Sequence, residues 1–361
     1  MTSTRITGVG LIPLNLPMRQ PFVTALGQKR MSRNLLVAIR LSSAVVGLGE
    51  ASASLAFSWE TQIAMAKVLR QITGRLIGSP IRSYRRLIQD AWARHPEHPT
   101  AIAALECALL DAFARDRGIS LWRFCGGRRR SVTTSLTISA WAHPQAGHVA
   151  HRAFASGFRR LKVKVTGHDL DEDIRRVAAV HSLAPRATLW VDANQGFTAE
   201  EAIRFSLFVR QNRLPVALLE QPVAREDWAG LAKVQREAGI PVVADETASS
   251  LNETRRLIRR KIVPAINVKL AKCGFLGALE IIRLAKTAGI RLMIGCMAES
   301  SIGLSHSVAL ACGTGAFDFV DLDSHLLVIS PACIPGFATH GPRLSVYPTR
   351  PGSATRFPVP R

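Results

Sequence analysis

The chain has 361 residues, 47% of them hydrophobic, so it is long enough for one large core or for a barrel with a smaller partner domain. Its formal net charge is +21, but its 38 arginines are spread in short groups without interleaved aromatic residues, which disfavours nucleic-acid binding. No apolar run could span a bilayer, no signal peptide is recognisable, and the six cysteines are scattered, so we expect a cytoplasmic protein without a zinc site.

The first 127 residues predict an α+β domain. Residues 35–41 have the apolar, β-branched character of a strand, and the glycine-containing segment 46–50 predicts a turn. Residues 60–74 and 100–118 predict helices, and the second of them is rich in Ala and Leu and therefore expected to be buried. The glycine pair at 126–127 marks the predicted end of this domain.

Residues 128–325 contain eight short apolar runs, each followed by a polar turn and a longer helix-like segment. The units recur every 24–28 residues, which is the length of one strand, one helix and two short loops. Eight such units predict a (β/α) barrel whose active site lies at the carboxyl ends of the strands. An open doubly wound sheet fits the same alternation, but no Gly-x-Gly-x-x-Gly follows an early strand. The runs cover residues 135–139, 161–165, 188–191, 217–219, 242–244, 265–270, 292–294 and 319–322.

Three consecutive units end in carboxylates, namely Asp192, Glu220 and Asp245. In a barrel these side chains would lie side by side on one rim. Oxygen ligands without Cys or His suit Mg²⁺ or Mn²⁺, so the pattern predicts a divalent metal site. Each residue alone could instead be a helix N-cap or a turn residue.

Lysine is rare in this chain, with nine residues against 38 arginines, and lysine can act as a base where arginine cannot. Lys162 and Lys164 are two apart on one predicted strand, so both side chains point to the same face. Lys269 comes from the sixth unit, across the barrel from the second. Burial near a dication should lower the pKa of an inward lysine, and two opposed lysines could remove and return a proton. A solvated surface strand is the alternative for 162–164.

Several motifs with their order and spacing resemble the enolase superfamily, in the branch that contains muconate-lactonising enzymes, o-succinylbenzoate synthases and dipeptide epimerases. The resemblance extends from about residue 20 to residue 325. Its motifs are Gly-Leu-Gly-Glu at 47–50, Lys-Val-Lys at 162–164, Asp-Ala-Asn-Gln at 192–195, Glu-Gln-Pro at 220–222, Ala-Asp-Glu at 244–246 and Asn-Val-Lys-Leu-Ala-Lys-Cys-Gly at 267–274.

This resemblance implies an α/β fold with a (β/α)7β TIM-like barrel at 128–325. It also implies an N-terminal α+β capping domain at 1–127, which the C-terminal segment 326–361 returns to and completes. Lys164 and Lys269 would be the acid/base pair, and Lys162 would contact the substrate carboxylate. The implied ligands of Mg²⁺ are Asp192, Glu220 and Asp245.

The eighth unit distinguishes dipeptide epimerases from the other enzymes of this branch. Asp321 and Asp323 lie on one face of a strand and resemble the Asp-x-Asp motif with which dipeptide epimerases bind the free amino terminus. Thr137 and Glu299 match substrate-contacting residues on the first and seventh units. The chain departs from the family pattern at Gly27, where relatives acting on Ala-Glu carry arginine, at residue 275, where a second glycine is usual, and in the C-terminal tail.

The sequence therefore predicts a Mg²⁺-dependent epimerase of L,L-dipeptides that transfers a proton at the carbon next to the carboxylate. The same scaffold would also serve an o-succinylbenzoate synthase, an N-acylamino-acid racemase or a cycloisomerase, and a basic nucleic-acid-binding protein is the remote alternative. The expected partner is a small molecule, either a dipeptide or an N-acyl amino acid. A homo-oligomer without nucleic-acid or membrane partners is expected.

Overall fold

An antiparallel sheet of three strands opens the chain in a computed structural model that describes residues 4–359. Strand β1 lies at the edge of the sheet and carries Pro13, Pro17 and Pro21, which an edge strand tolerates because their missing N–H groups are not needed for pairing. These prolines explain why no strand was predicted before residue 35. The strands are β1 (Ile6–Thr24), β2 (Gly27–Leu41) and β3 (Val46–Ala51).

Four helices follow this sheet, and one of them lies directly against β3. They are α1 (Gln62–Leu76), α2 (Tyr84–Arg94), α3 (Pro99–Asp116) and α4 (Leu121–Phe124). A Cβ atom at Gly47 would lie 2.3 Å from the carbonyl of Ala108, and one at Gly49 would lie 2.0 Å from that of Ala104. The predicted turn at 46–50 is therefore wrong: the glycines belong to a strand that needs them to approach α3.

A sheet of eight parallel strands in chain order forms the barrel, which confirms the predicted fold class. A short strand, β4 (Ser131–Thr133), precedes it. The first and eighth strands of the sheet meet where the backbone N–H of Ser135 donates to the carbonyl of Val320 at 2.9 Å. The eight strands are β5 (Leu136–Ile138), β6 (Arg160–Lys164), β7 (Thr188–Asp192), β8 (Val216–Glu220), β9 (Val242–Ala244), β10 (Ala265–Val268), β11 (Arg291–Gly295) and β12 (Phe319–Asp321).

Helices connect these strands around the barrel. The predicted strand at 265–270 is too long, because β10 ends at Val268 and Lys269 already precedes the first turn of α10. The helices are α5 (His143–Ala155), α6 (Leu170–Leu183), α7 (Ala199–Gln211), α8 (Trp228–Glu237), α9 (Leu251–Arg260), α10 (Leu270–Ala288), α11 (Ser301–Thr314) and, after β12, α12 (Ser324–Leu327).

Apolar side chains fill the amino-terminal half of the barrel interior. Trp190 on β7 lies edge-to-face with Phe319 on β12 at 5.6 Å between ring centres, and Leu218 on β8 belongs to the same cluster. Asp192 and Glu220 follow Trp190 and Leu218 by two residues, so they point to the same interior at the carboxyl end. The polar side chains at the carboxyl end of the barrel thus lie directly above a layer of apolar side chains.

The C-terminal segment returns along the outside of the barrel to α3. Strands β13 (Phe337–His340) and β14 (Arg343–Val346) form a small sheet with β4. Beyond it, Ser353 N donates to Asp111 Oδ1 at 2.6 Å, and Arg115 donates to the carbonyl of Thr355 at 2.6 Å. Within residues 4–359, no helix is long and apolar enough to cross a membrane.

Candidate active site

The three carboxylates predicted to bind metal lie at the carboxyl ends of neighbouring strands. Asp192 and Glu220 are the last residues of β7 and β8 and are register partners, and Asp245 directly follows β9. All three side chains are buried, with at most 1% of each residue exposed. Parallel pairing in chain order has therefore gathered three acids at one rim of the barrel.

Two lysines of β6 point into the barrel and contact these acids. The Nζ of Lys162 lies 2.9 Å from both Asp192 Oδ2 and Glu220 Oε2, and 2.8 Å from Asp321 Oδ2. The Nζ of Lys164 donates to Asp192 Oδ2 at 2.6 Å. Because both lysines are almost fully buried, the alternative of a solvated surface strand at 162–164 is excluded.

Lys269 approaches the same acids from the other side of the barrel. Its strand, β10, is four strands away from β6 in a ring of eight, so Lys164 and Lys269 face each other across the interior. The Nζ of Lys269 donates to Asp245 Oδ2 at 2.6 Å, and Lys272 donates to Asp245 Oδ1 at 2.7 Å. The geometry thus brings two amines to opposite sides of one cavity.

The carboxylates determine the pKa of two of these lysines, and the fall in pKa expected for a lysine beside a dication stays a prediction. Burial alone would lower the pKa of Lys162, but the charges of Asp192, Asp321 and Glu220 raise it well above its ordinary value. Burial likewise opposes the charge of Lys269, and Asp245 nevertheless raises its pKa well above the usual range. For Lys162 and Lys269 the surrounding carboxylates thus outweigh the effect of desolvation on the pKa.

The charge state and the oxygen atoms of the three acids determine whether they could bind a divalent cation. Burial and the charge of Asp192 raise the pKa of Glu220 to about 7, although the ammonium group of Lys162 lies 2.9 Å from its Oε2. Among the described residues, no three Asp, Glu, His or Cys side chains are already gathered closely enough to hold an ion, since the ammonium group of Lys162 lies between two of the acids. A buried donor set of three carboxylates, without Cys or His, fits Mg²⁺ or Mn²⁺. The residues that would hold it are Asp192, Glu220 and Asp245.

Two further carboxylates lie beside β5: Asp321 is the last residue of β12, whereas Asp323 directly precedes α12, so the prediction that both lie on one strand is wrong for Asp323. Asp321 Oδ1 accepts from the hydroxyl of Ser135 at 2.7 Å, and its Oδ2 is the oxygen paired with Lys162. Asp323 Oδ2 accepts from the backbone N–H of Thr137 at 2.6 Å. Burial and the charge of Asp321 raise the pKa of Asp323 to about 7. Asp323 therefore lacks the close cation that Asp321 has, and it lines the cavity with Thr137.

Glu299 lies behind the cavity wall, whose nearest members on that loop are Met297 and Ala298. Burial raises the pKa of Glu299 to about 8, and the charge of Glu50 adds to this shift. Glu50 of β3 itself accepts from the backbone N–H of Ser300 at 2.9 Å at the start of α11. It thereby fastens the loop before α11 to the antiparallel sheet. The predicted substrate contact of Glu299 stays a prediction.

The cavity above the lysines has a volume of about 120 Å³ and is partly covered by side chains from the N-terminal sheet and its following loop. Leu26, Leu55 and Phe57 give this cover an apolar inner surface. Among the described residues of that sheet and loop that line the cavity, Lys29 is the one cation. Its amine donates to the carbonyl of Ala53, and burial lowers the pKa of Lys29 to about 8. The cover thus presents a largely apolar surface to a substrate.

Four residues of the site were not assigned from the sequence. Asn194 accepts from Lys164 at 2.8 Å and donates to Glu246 at 3.0 Å, while burial and the charge of Asp245 raise the pKa of Glu246 to about 8. Asn267 donates to Glu220 at 2.8 Å, and Lys272 donates to the carbonyl of Asn267 at the same distance. All four residues lie inside the motifs quoted above, and position 272 is one of the few that carry lysine rather than arginine. These two features of the sequence could have indicated that the residues belong to the site.

Comparison with known proteins gives two family matches. The family described as "Mandelate racemase / muconate lactonizing enzyme, N-terminal domain" matches residues 6–126, and that described as "Enolase C-terminal domain-like" matches residues 145–354. The two together span the cover and most of the barrel.

Individual relatives align over almost the whole chain. An aromatic dipeptide epimerase from Herpetosiphon aurantiacus is 38% identical, with 95% of this chain and 96% of the relative covered. An L-Ala-D/L-Glu epimerase from Thermotoga maritima is 37% identical, with 95% and 99% covered. The structure of a dipeptide epimerase from Enterococcus faecalis, complexed with Mg and the dipeptide L-Leu-L-Tyr, superposes with a TM-score of 0.93 at 27% identity, covering 98% of this chain and all of that one.

Proposed function

The chain belongs to the enolase superfamily, in its mandelate racemase/muconate lactonizing enzyme family, and on this basis we propose that it is a Mg²⁺-dependent epimerase of L,L-dipeptides. The observation that carries the proposal is the opposition of Lys164 and Lys269 across a cavity floored by carboxylates. Relatives named as dipeptide epimerases, one of them with Mg and a dipeptide bound, support the same activity.

The proposed reaction inverts the carbon next to the substrate carboxylate. One of the two lysines, in its neutral form, accepts the proton of that carbon on one face, and the ammonium group of the other delivers a proton to the opposite face. Lys162 orients the substrate carboxylate, and Asp323 with Asp321 holds the ammonium group of the first residue. A bound Mg²⁺, held by Asp192, Glu220 and Asp245, would supply positive charge that stabilises the enolate.

The direct test is exchange of the α-hydrogen of dipeptides in D₂O with Mg²⁺ present, followed by mass spectrometry and chiral separation. We expect deuterium to enter the second residue as the L,L-dipeptide converts to its epimer. Absence of exchange with every member of a broad dipeptide panel would overturn the proposal. Exchange of N-succinyl amino acids that persists in Asp321→Asn would instead favour an N-acylamino-acid racemase on the same lysines.

We also propose a cytoplasmic, homo-oligomeric enzyme without nucleic-acid or membrane partners, with domain limits at residues 127 and 325. The free cysteines of the described chain support a reducing compartment. Light scattering tests the oligomeric state, and limited proteolysis tests the domain limits. A salt-sensitive DNA affinity that Lys164→Ala leaves unchanged would favour the nucleic-acid alternative.

A further inference from the structure

A second cavity of about 350 Å³ adjoins the catalytic cavity and is about three times as large. The end of β1, strand β5 with helix α5, and helix α12 enclose it. Met18, Phe22, Thr137 and Leu327 line both cavities, so the two are neighbours along the side of the barrel formed by β5 and β12. None of the residues assigned to proton transfer or metal binding lines the second cavity.

The position of this cavity relates it to one end of a dipeptide, on the premise of the proposed function. The reacting carbon belongs to the second residue and lies between Lys164 and Lys269, whereas the ammonium group of the first residue lies at Asp323. Asp323 accepts a hydrogen bond from Thr137, which is part of the shared wall. Because ammonium group and side chain branch from the same carbon, the first side chain starts at the entrance to the second cavity.

We infer that the second cavity is the subsite for the side chain of the first residue and that it selects a bulky apolar or aromatic group over a small or cationic one. The side chain of the second residue starts between the lysines instead and meets the apolar cover formed by Leu26, Leu55 and Phe57. The two side chains of the dipeptide are thus recognised in separate places.

The lining of the cavity accounts for the selected class. Phe22, Trp141 and Phe158 offer aromatic surface, and the indole N–H of Trp141 is already bonded to the carbonyl of Pro21 at 2.9 Å, so it makes no demand on a ligand. A large apolar side chain would occupy much of this volume, and its apolar surface would be removed from water. A methyl group would occupy only a small part of the volume and bury little surface.

The charge at the outer end of the cavity argues against a cationic side chain. Arg19 and Arg152 line it, both are exposed, and no Asp or Glu is among the described lining residues. A lysine or arginine side chain would therefore approach two like charges without a counter-ion. The preference should show as discrimination between dipeptides that differ only in the first residue.

The cavity is held open by bonds between the cover and the barrel. Val23 N donates to the hydroxyl of Ser139 at 2.6 Å, and Ala140 N donates to the carbonyl of Val23 at 3.0 Å. Arg176 donates to the carbonyl of Trp141 at 2.5 Å. Since these contacts fix β1 against the segment after β5, the volume is part of the folded structure and does not depend on a ligand.

The test compares kcat/KM for Ala-Xaa, Phe-Xaa and Lys-Xaa with one common second residue. We expect Phe-Xaa to exceed Ala-Xaa, and to exceed Lys-Xaa by about tenfold or more. Ala153→Phe places a ring in the second cavity from α5, and it should lower kcat/KM for Phe-Xaa by about tenfold or more while changing Ala-Xaa by less than about twofold. The matched control is Ala155→Phe, at an exposed position of the same helix that does not line the cavity.

A second variant keeps the inference testable if Ala153→Phe folds poorly. Arg152 is exposed, and Arg152→Glu should raise kcat/KM for Lys-Xaa by about tenfold with little change for Ala-Xaa. Equal effects of either variant on all three substrates, or wild-type activity on Lys-Xaa equal to that on Phe-Xaa, would overturn the subsite. Loss of the proposed function itself would look different, because no dipeptide, Ala-Xaa included, would then be epimerised.

Discussion

Asp323 Oδ2 accepts a hydrogen bond of 2.6 Å from the backbone N–H of Thr137, which ties the segment after the last barrel strand to the first strand. This bond fixes the direction of a carboxylate whose pKa is raised to about 7 by burial and by the charge of Asp321. On the proposed function, this carboxylate binds the ammonium group of the substrate, and it must be ionised to do so.

We therefore predict that KM for a dipeptide falls as the pH rises through about 7, because Asp323 then gains its charge. Asp323→Asn should raise KM roughly 30-fold or more and remove this pH dependence, since an amide has no negative charge to attract an ammonium group and does not titrate. Steady-state kinetics between about pH 6 and pH 8 measures both effects. Asp318→Asn, at an exposed residue just before β12, is the control, and an unchanged KM in Asp323→Asn would contradict the assignment.

Replacing either opposed lysine should separate the two halves of proton transfer. In Lys164→Ala and in Lys269→Ala we expect epimerisation to fall by about 10²–10⁴-fold, because each variant lacks the group that serves one face of the substrate. Each variant should still exchange the α-hydrogen of one epimer in D₂O, and the retained epimer should differ between them. Lys233→Ala, at an exposed lysine paired with Glu200, should behave as wild type. Retention of the same epimer in both variants would refute opposed roles.

Removal of divalent metal should abolish activity and also lower stability. Chelation followed by Mg²⁺ addition should restore epimerisation, and saturating Mg²⁺ at 100 times its Kd should stabilise the folded protein by about 2.7 kcal/mol. Differential scanning calorimetry with and without Mg²⁺ detects this shift independently of catalysis. Asp245→Asn should lose the shift, whereas Glu200→Gln, at an exposed helix start, should keep it. A shift that survives Asp245→Asn would place the ion elsewhere.

Glu106 should make stability depend on pH. It accepts from Trp92 Nε1 at 2.7 Å and from the backbone N–H of Leu276 at 2.5 Å, next to the left-handed Gly274 that interrupts α10. Burial raises its pKa from 4.5 to about 7 despite these bonds. A raised carboxyl pKa stabilises the fold fully below the unfolded pKa, and this contribution is lost as the pH rises through about 7.

The stability of wild type relative to Glu106→Gln should therefore shrink by about 3 kcal/mol between about pH 4.5 and pH 7. Urea unfolding at several pH values measures the difference. Asp90→Asn, which removes an exposed acid paired with Arg94, should show no such trend. A gap between wild type and Glu106→Gln that stays constant with pH would show that Glu106 titrates normally.

The barrel could be predicted because each strand is a short, buried, β-branched run at a regular interval, and because parallel pairing in chain order places the residue that ends each run on one rim. Asp192, Glu220 and the lysines of β6 follow from that rule alone. Strand β1 was missed because its prolines weaken the strand signal, and β3 was taken for a turn because its glycines serve packing against α3.

The electrostatics of the site could not be predicted from order and spacing. The pKa of Lys162 is lowered by burial and raised by nearby negative charge. Three carboxylates lie within 2.9 Å of its Nζ, so charge has the larger effect, and the sequence does not give this number. The replacement of a customary glycine by Phe275 is visible in the sequence, but its full burial in the core and the proximity of Glu299 to Glu50 are not. Such facts depend on distances between segments far apart in the chain.

Glu50 is joined to the start of α11 through Ser300 and Gly303, and this attachment lies outside the loops that cover the catalytic cavity. We therefore expect that the cover segments around Leu26 and Leu55 can be exchanged for those of a relative while Glu50, together with the bonds of Val23 to Ser139 and Ala140, keeps sheet and barrel aligned. A chimera made in this way should inherit the donor's preference for the second residue while retaining the recipient's turnover machinery. We expect preference for the second residue to move with these few residues alone.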